Sequence, residues 1–234
     1  MMRDNPWHVR LANTEQHQWY RNLVDLHELT DSWLKEIQTD RPAYLLTRGL
    51  SSEITENLWM LESISKVELE QLMDDTQIED MLGRLEHTIW AVQSWTLNTL
   101  LGRATPGTKD ALDSLLDQIS WKLGQTCVGT RWKKFANQKQ QDLRDILLCL
   151  KDSPFAGYPK GEGFLIKRAI STEVQIELRH CPHQIQYQEV KPVVDRLCRL
   201  HTQWMRGFAY ELNSRVSVEH VVQSPRCIQR WFFL

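Results

Sequence analysis

The chain has 234 residues, of which 41 % are hydrophobic and 25 % are charged, a composition typical of a globular protein with a substantial core. No apolar run approaches the ~20 residues of a bilayer-spanning helix, and MMRDNPWHVR at the amino terminus lacks the apolar stretch of a secretory signal, so we expect a cytoplasmic protein. The net charge of −2 combines an acidic first part with a weakly basic last third, an excess too small to indicate nucleic-acid binding.

The cysteines are odd in number and widely spaced, which argues against a disulfide framework in a chain of this size. We therefore expect reduced thiols, some of them buried as small apolar groups. The five positions are Cys127, Cys149, Cys181, Cys198 and Cys227.

The first part of the sequence predicts helices, because apolar residues recur near the helical period over about 13–37, 52–73 and 78–100. TQIE at 76–79 has the pattern of a capping box and marks the start of the third helix. Residues 1–105 are thus predicted to form a helical extension or subdomain.

A further helix is predicted from about 108 and continues into the segment WKLGQTCVGTRWKKF at 121–135. Gly124, Thr126 and Gly129 place small residues along this segment, at some cost in helix propensity. We expect these small side chains to let another backbone come close.

A short amphipathic helix is predicted at 142–150. The segment 151–163 that follows contains two prolines and three glycines, and it divides the part of the chain with helical periodicity from the part with strand periodicity. The alternation of apolar and polar residues beyond it predicts strands, and one helical repeat lies between them. The predicted elements are strands at 164–171, 172–181, 214–223 and 227–234, and a helix at 190–213. The chain is predicted to be an α+β protein, with the helical N-terminal part packed on a small C-terminal domain that contains an antiparallel sheet.

Three segments of the C-terminal half carry a family resemblance. RHCP ends the second strand, CRLHTQWMRGFAYELN follows in the helix, and RCIQRWFF lies in the last strand. In element order and in the places of Cys181, Cys198 and Cys227, residues 108–234 resemble the vinyl-reductase-type hydrocarbon-binding domain and the aminothiazoline-carboxylate hydrolase group. The resemblance implies an α+β domain, often dimeric, that encloses an apolar pocket for a small molecule.

The candidate catalytic residues are Cys181, His183, Cys198 and His201, since Cys198 and His201 are three apart on a helix and Cys181 lies at a strand end. Such a set, with Cys227, suits either a zinc ion or a thiol nucleophile beside a histidine base. The chain has no paired CxxC spacing, and reduced cysteines are commonly core residues, so a purely structural role is the third alternative. The cofactor is accordingly left unknown, with zinc as one possibility.

The candidate ligand-binding residues are Trp204, Arg206, Phe208, Cys227 and Arg230. The aromatic side chains suit an apolar pocket between their helix and the sheet, and each guanidinium suits a ligand carboxylate. The alternatives are an aromatic stripe that belongs to the core and two solvated surface arginines.

The preferred function is small-molecule binding, of an apolar or heterocyclic ligand, by a cytosolic sensor or accessory factor. The first alternative is a cysteine-dependent hydrolase of a small heterocycle or amide. The second is an interaction subunit, or a homodimer, that uses the tryptophan-rich N-terminal helices as its contact surface. Nucleic acid is not an expected partner, because the basic segment at 131–139 reads more simply as a solvated helix face.

Overall fold

The computed structural model describes residues 14–39, 75–132, 135, 140–151, 153, 164–178, 191–223 and 226–234. The helices within these ranges are α1 (Thr14–Thr39), α2 (Asp75–Arg103), α3 (Pro106–Arg131), α4 (Leu143–Lys151) and α5 (Lys191–Leu212). The strands are β1 (Phe164–Ile170), β2 (Glu173–Leu178), β3 (Val216–Gln223) and β4 (Arg226–Phe233). The predicted α+β class is confirmed, whereas the helix predicted at 52–73 lies outside the described residues.

The four strands form one antiparallel sheet in the order β1-β2-β4-β3. The register pairs Val174 with Trp231, and Trp231 with Val218, so these side chains share one face of the sheet. All three are buried, and the sheet therefore has one face toward the core. A β-bulge interrupts the pairing of β1 with β2 between Ile166 and Arg168.

Helix α5 covers the core face of the sheet with the aromatic stripe that the sequence shows. Trp204 stacks on Phe208 with ring centroids 5.2 Å apart, and both side chains are buried. Trp132, at the end of α3, meets Phe208 edge-on at 5.4 Å. The core therefore gains specific aromatic contacts in addition to buried area.

Helices α3 and α5 cross at two glycines, one on each helix. A Cβ at Gly124 would lie 2.1 Å from the Trp204 carbonyl oxygen, and a Cβ at Gly207 would lie 1.9 Å from the Trp121 carbonyl oxygen. Only glycine fits at such backbone-to-backbone distances, so the expected close approach is confirmed at Gly124. No atom of the described residues lies within 4 Å of the corresponding position at exposed Gly129, so the expectation was wrong there.

Two ion pairs join the same two helices beyond the crossing. Arg196 of α5 donates to Asp113 of α3, and Arg199 donates through two nitrogens to Asp117. The Arg196 pair is largely buried, with 10 % and 13 % of its side chains exposed, whereas Arg199 is 49 % exposed. The contact between α3 and α5 thus combines a close backbone crossing with two pairs of opposite charge.

The interface between α1 and α2 contains polar groups inside the core. The Trp19 indole nitrogen donates to a Glu86 carboxylate oxygen at 3.0 Å, and Gln93 donates to the Thr30 hydroxyl at 2.6 Å. One hydrophobic cluster continues from these helices to Trp204 and the sheet. The division of the chain into residues 1–105 and 108–234 stays a prediction.

Candidate functional site

The space between α5 and the sheet, where the sequence places a ligand, is occupied by packed side chains. Trp204, Phe208 and Trp231 are each buried there, together with Met205 and Ala209. A stripe of large apolar residues at helical spacing fills a core as readily as it lines a pocket, and here it lies in the core. The assignment of Trp204 and Phe208 to ligand binding stays a prediction.

The two candidate arginines lie on different parts of the fold. The Arg206 Nε donates to the Val218 carbonyl oxygen at 2.7 Å, which ties α5 to β3. Arg230 lies on the outer face of the sheet, 2.6 Å from a Glu219 oxygen and 4.7 Å above the Phe232 ring. Since they face opposite sides of the sheet, the structure does not bring the two guanidinium groups together around one carboxylate.

Cys198 and His201 point toward different neighbours on either side of α5. Cys198 packs against a small cluster made by Leu178 and Cys227 at the end of the sheet. The His201 ring lies 5.5 Å from the Trp90 ring of α2. Cys181 and His183 lie outside the described residues.

Among the described side chains, no group of three or more histidine, cysteine, aspartate or glutamate residues is placed to hold a metal ion. Because Cys181 and His183 are not among them, the zinc alternative stays a prediction, as does the catalytic set that contains them.

A cysteine–histidine pair that the sequence analysis missed lies on β3 and β4. The His220 Nε2 is 3.0 Å from the Cys227 sulfur. His220 pairs with Gln229 across the strands, and Cys227 lies two residues before Gln229. The side chains of His220 and Cys227 are therefore diagonal neighbours on the core face of the sheet. The predicted strands 214–223 and 227–234 would pair His220 with Arg230 and put Cys227 on the other face. In the structure Gln223 pairs with Arg226, and this shift of one residue brings His220 and Cys227 to the same face. Such a contact allows an imidazole to accept the proton of the thiol.

An open cleft lies between α4 and the edge strand β1, with a volume of about 590 Å³. Its apolar lining includes Leu143, Leu147, Leu148, Phe164, Ile166 and Ile170. Three of these large side chains are substantially exposed, Leu148 at 56 %, Ile166 at 58 % and Ile170 at 47 %. The cleft has the size and the apolar character of a small-molecule site.

Local sequence places the cleft where it is. Asp142 accepts a hydrogen bond from the Asp145 backbone at 2.8 Å and so caps α4, and the Asn213 side chain donates to the Gln141 carbonyl oxygen at 2.9 Å beside it. The start of α4 is thereby fixed to the end of α5. Within the described part of the chain, β1 pairs with β2 alone. Its apolar residues Phe164, Ile166 and Ile170 line the cleft opposite α4.

Tryptophans of the N-terminal helices differ in exposure. Trp19 and Trp90 are buried in the core, whereas Trp95 is 38 % exposed. The other tryptophans proposed for a partner surface have no described side chain, so that surface and the homodimer stay predictions.

Comparison of the chain with protein-family models, with curated proteins and with solved structures gives no match. The resemblance to the vinyl-reductase-type domain therefore stays a prediction. None of the helices in the described part of the chain is long and apolar enough to cross a membrane.

Proposed function

We propose that this protein binds an apolar small molecule in the cleft between α4 and β1, and acts as a cytosolic sensor or accessory factor. The observation that carries the proposal is the apolar lining of a cleft of about 590 Å³. Covering apolar surface is favourable by about 25 cal/mol for each Å² removed from water. Leu148, Ile166 and Ile170 are each about half exposed and line the same cleft, which is typical of a binding site rather than of scattered surface residues.

A peptide strand is a less suitable occupant than a small molecule. The bulge between Ile166 and Arg168 interrupts the regular ladder of β1, and Lys167 adds a charge to this edge strand. Both features are ways in which proteins prevent another strand from pairing with a sheet edge.

The test uses 1-decanol as a neutral apolar probe, followed by isothermal titration calorimetry. Ala169 is a small side chain in the lining, so Ala169→Trp should fill the cleft and abolish binding. Ala111→Trp, at an exposed position on α3, is the matched control and should bind as the unmodified chain does. Circular dichroism checks that both variants fold. Absence of binding to the unmodified chain, or equal binding by the two folded variants, would contradict the proposal.

A second candidate function is cysteine-dependent hydrolysis of a small heterocycle or amide, and the His220–Cys227 contact at 3.0 Å favours it. The Cys227 thiolate would attack the carbonyl or ring carbon, and His220 would hold the thiol proton and return it to the leaving nitrogen. A water molecule would then hydrolyse the covalent intermediate, which is a thioester when the thiolate has attacked a carbonyl carbon.

Alkylation by iodoacetamide, located by peptide mass mapping, tests this candidate. His220→Gln should slow the alkylation of Cys227 at least about tenfold, because the thiolate loses its partner. His87→Gln, at an exposed position on α2, is the matched control and should leave the rate unchanged. If Cys227 of the unmodified chain reacts no faster than free cysteine, the thiol is not activated and the candidate fails.

A further inference from the structure

Among the described residues, two cations border the cleft, and both are on α4. Arg144 and Lys151 line it and are exposed. They are seven residues apart, or about 10 Å along a helix axis, so they lie on one stripe of α4 with Leu148 between them. Within the described part of the chain, neither forms an ion pair.

One carboxylate among the described residues also lines the cleft. The Asp142 Oδ1 accepts a hydrogen bond from the Asp145 backbone nitrogen at 2.8 Å, which caps the helix and leaves the negative charge in place. Lys167 of β1 pairs with Glu177 at 2.8 Å across the neighbouring strand, so this pair adds no net charge. Two cations and one carboxylate give the described border of the cleft a net positive charge.

We infer that the ligand of this cleft is a monomeric amphiphile with an apolar body and one anionic group, such as a carboxylate. This inference rests on the proposed function and names the chemical class that the site selects. The apolar body covers Leu148, Ile166 and Ile170, and the anionic group lies at the border, in the field of Arg144 and Lys151. An exposed ion pair contributes little by itself, so the charge provides selectivity and the apolar body provides most of the affinity.

The experiment compares decanoate with 1-decanol, which share the chain and differ in charge, by isothermal titration calorimetry at low salt. Decanoate should bind about three- to tenfold more tightly. The preference should shrink in 0.5 M salt, because exposed charges are screened. The double variant Arg144→Gln/Lys151→Gln should remove the preference and keep the binding of 1-decanol.

Two controls sharpen the comparison. Lys109→Gln/Lys122→Gln removes two exposed cations of α3 outside the cleft and should keep the preference. Asp142→Asn removes an anion while asparagine still caps the helix, so it should widen the preference for decanoate over 1-decanol.

The outcomes separate the two proposals. Equal affinity for decanoate and 1-decanol overturns the anionic class and leaves apolar binding in place, whereas binding of neither contradicts the proposed function. Retention on phosphatidylglycerol vesicles without binding of monomeric decanoate also overturns the inference, because the anion would then belong to a lipid surface.

Discussion

Replacing Glu86 by glutamine should stabilise the protein at pH 8 and leave its stability unchanged at pH 4.5. Glu86 is 6 % exposed at the interface of α1 and α2, where the Trp19 indole donates to it. Burial raises the pKa of this carboxyl from 4.5 to about 7, although the indole groups of Trp19 and Trp90 act in the opposite direction. The folded protein therefore favours the neutral carboxylic acid.

The sign and the size of the effect follow from proton linkage. Between pH 4.5 and pH 7 the folded state binds a proton that the unfolded state has lost, so stability falls as the pH rises through this window. Above the folded-state pKa both states are ionised and the loss is complete. The difference between the two pKa values corresponds to about 3 kcal/mol at roughly 1.4 kcal/mol for each pH unit. Glutamine is neutral at every pH and avoids this loss.

The assay is urea unfolding at 25 °C from pH 4.5 to pH 8.5 for the unmodified chain and Glu86→Gln. The difference in unfolding free energy between the two should grow from near zero to about 3 kcal/mol in favour of the variant. Glu36→Gln, at an exposed position on α1, controls for the loss of a surface carboxylate and should show no such growth. Parallel pH profiles for the unmodified chain and Glu86→Gln would refute the reasoning.

Two further predictions concern the contact of α3 with α5, and urea unfolding measures both. Gly124→Ala should cost at least about 2 kcal/mol because its methyl group meets the Trp204 carbonyl, whereas Gly129→Ala on the same helix should stabilise by about 0.5–1 kcal/mol through helix propensity. If the two glycine substitutions changed the unfolding free energy equally, α3 and α5 would have to be farther apart at Gly124 than they are in the structure. Asp113→Ala should cost about 3 kcal/mol because it leaves a largely buried guanidinium unpaired, and Asp117→Ala less than about 1 kcal/mol because Arg199 is well exposed. A loss of similar size at both aspartates would contradict this ranking.

The sequence predicted the fold class and the element order because the described helices and β2 have a clear apolar period and turn residues separate the strands. The β3–β4 hairpin was predicted with its link at 224–226, whereas in the structure Gln223 pairs with Arg226. A shift of one residue in register moves side chains to the other face, so the His220–Cys227 pair could not be derived from the predicted strand bounds. The close approach of another backbone at Gly124 was expected from the small residues of its helix. Nothing in the local sequence distinguishes Gly124 from Gly129, because the backbone that Gly124 meets is some eighty residues away in sequence.

The cleft was not predictable, because it depends on how α4 and β1 are arranged in space. The sequence of each element shows no sign of a binding site when it is considered alone. Helix α4 reads as a short amphipathic helix, and Leu148 becomes informative only when it lies beside Ile166 of β1. Trp204 and Phe208 were instead expected to line a pocket, and they are packed in the core. Their helical spacing is the same in a core and in a pocket. Which of the two forms depends on whether neighbouring side chains fill the volume, and that is a property of the tertiary structure.

The glycine crossing of α3 and α5 also limits how substitutions there can be rescued. The atom that blocks a methyl group at Gly124 is the main-chain oxygen of residue 204, and the one that blocks Gly207 is the main-chain oxygen of residue 121. Every amino acid carries that oxygen, so no exchange of side chain at either residue relieves the overlap. A second-site suppressor of Gly124→Ala must instead move one helix axis, and we expect it among residues that set the separation of α3 and α5 rather than at the point of contact.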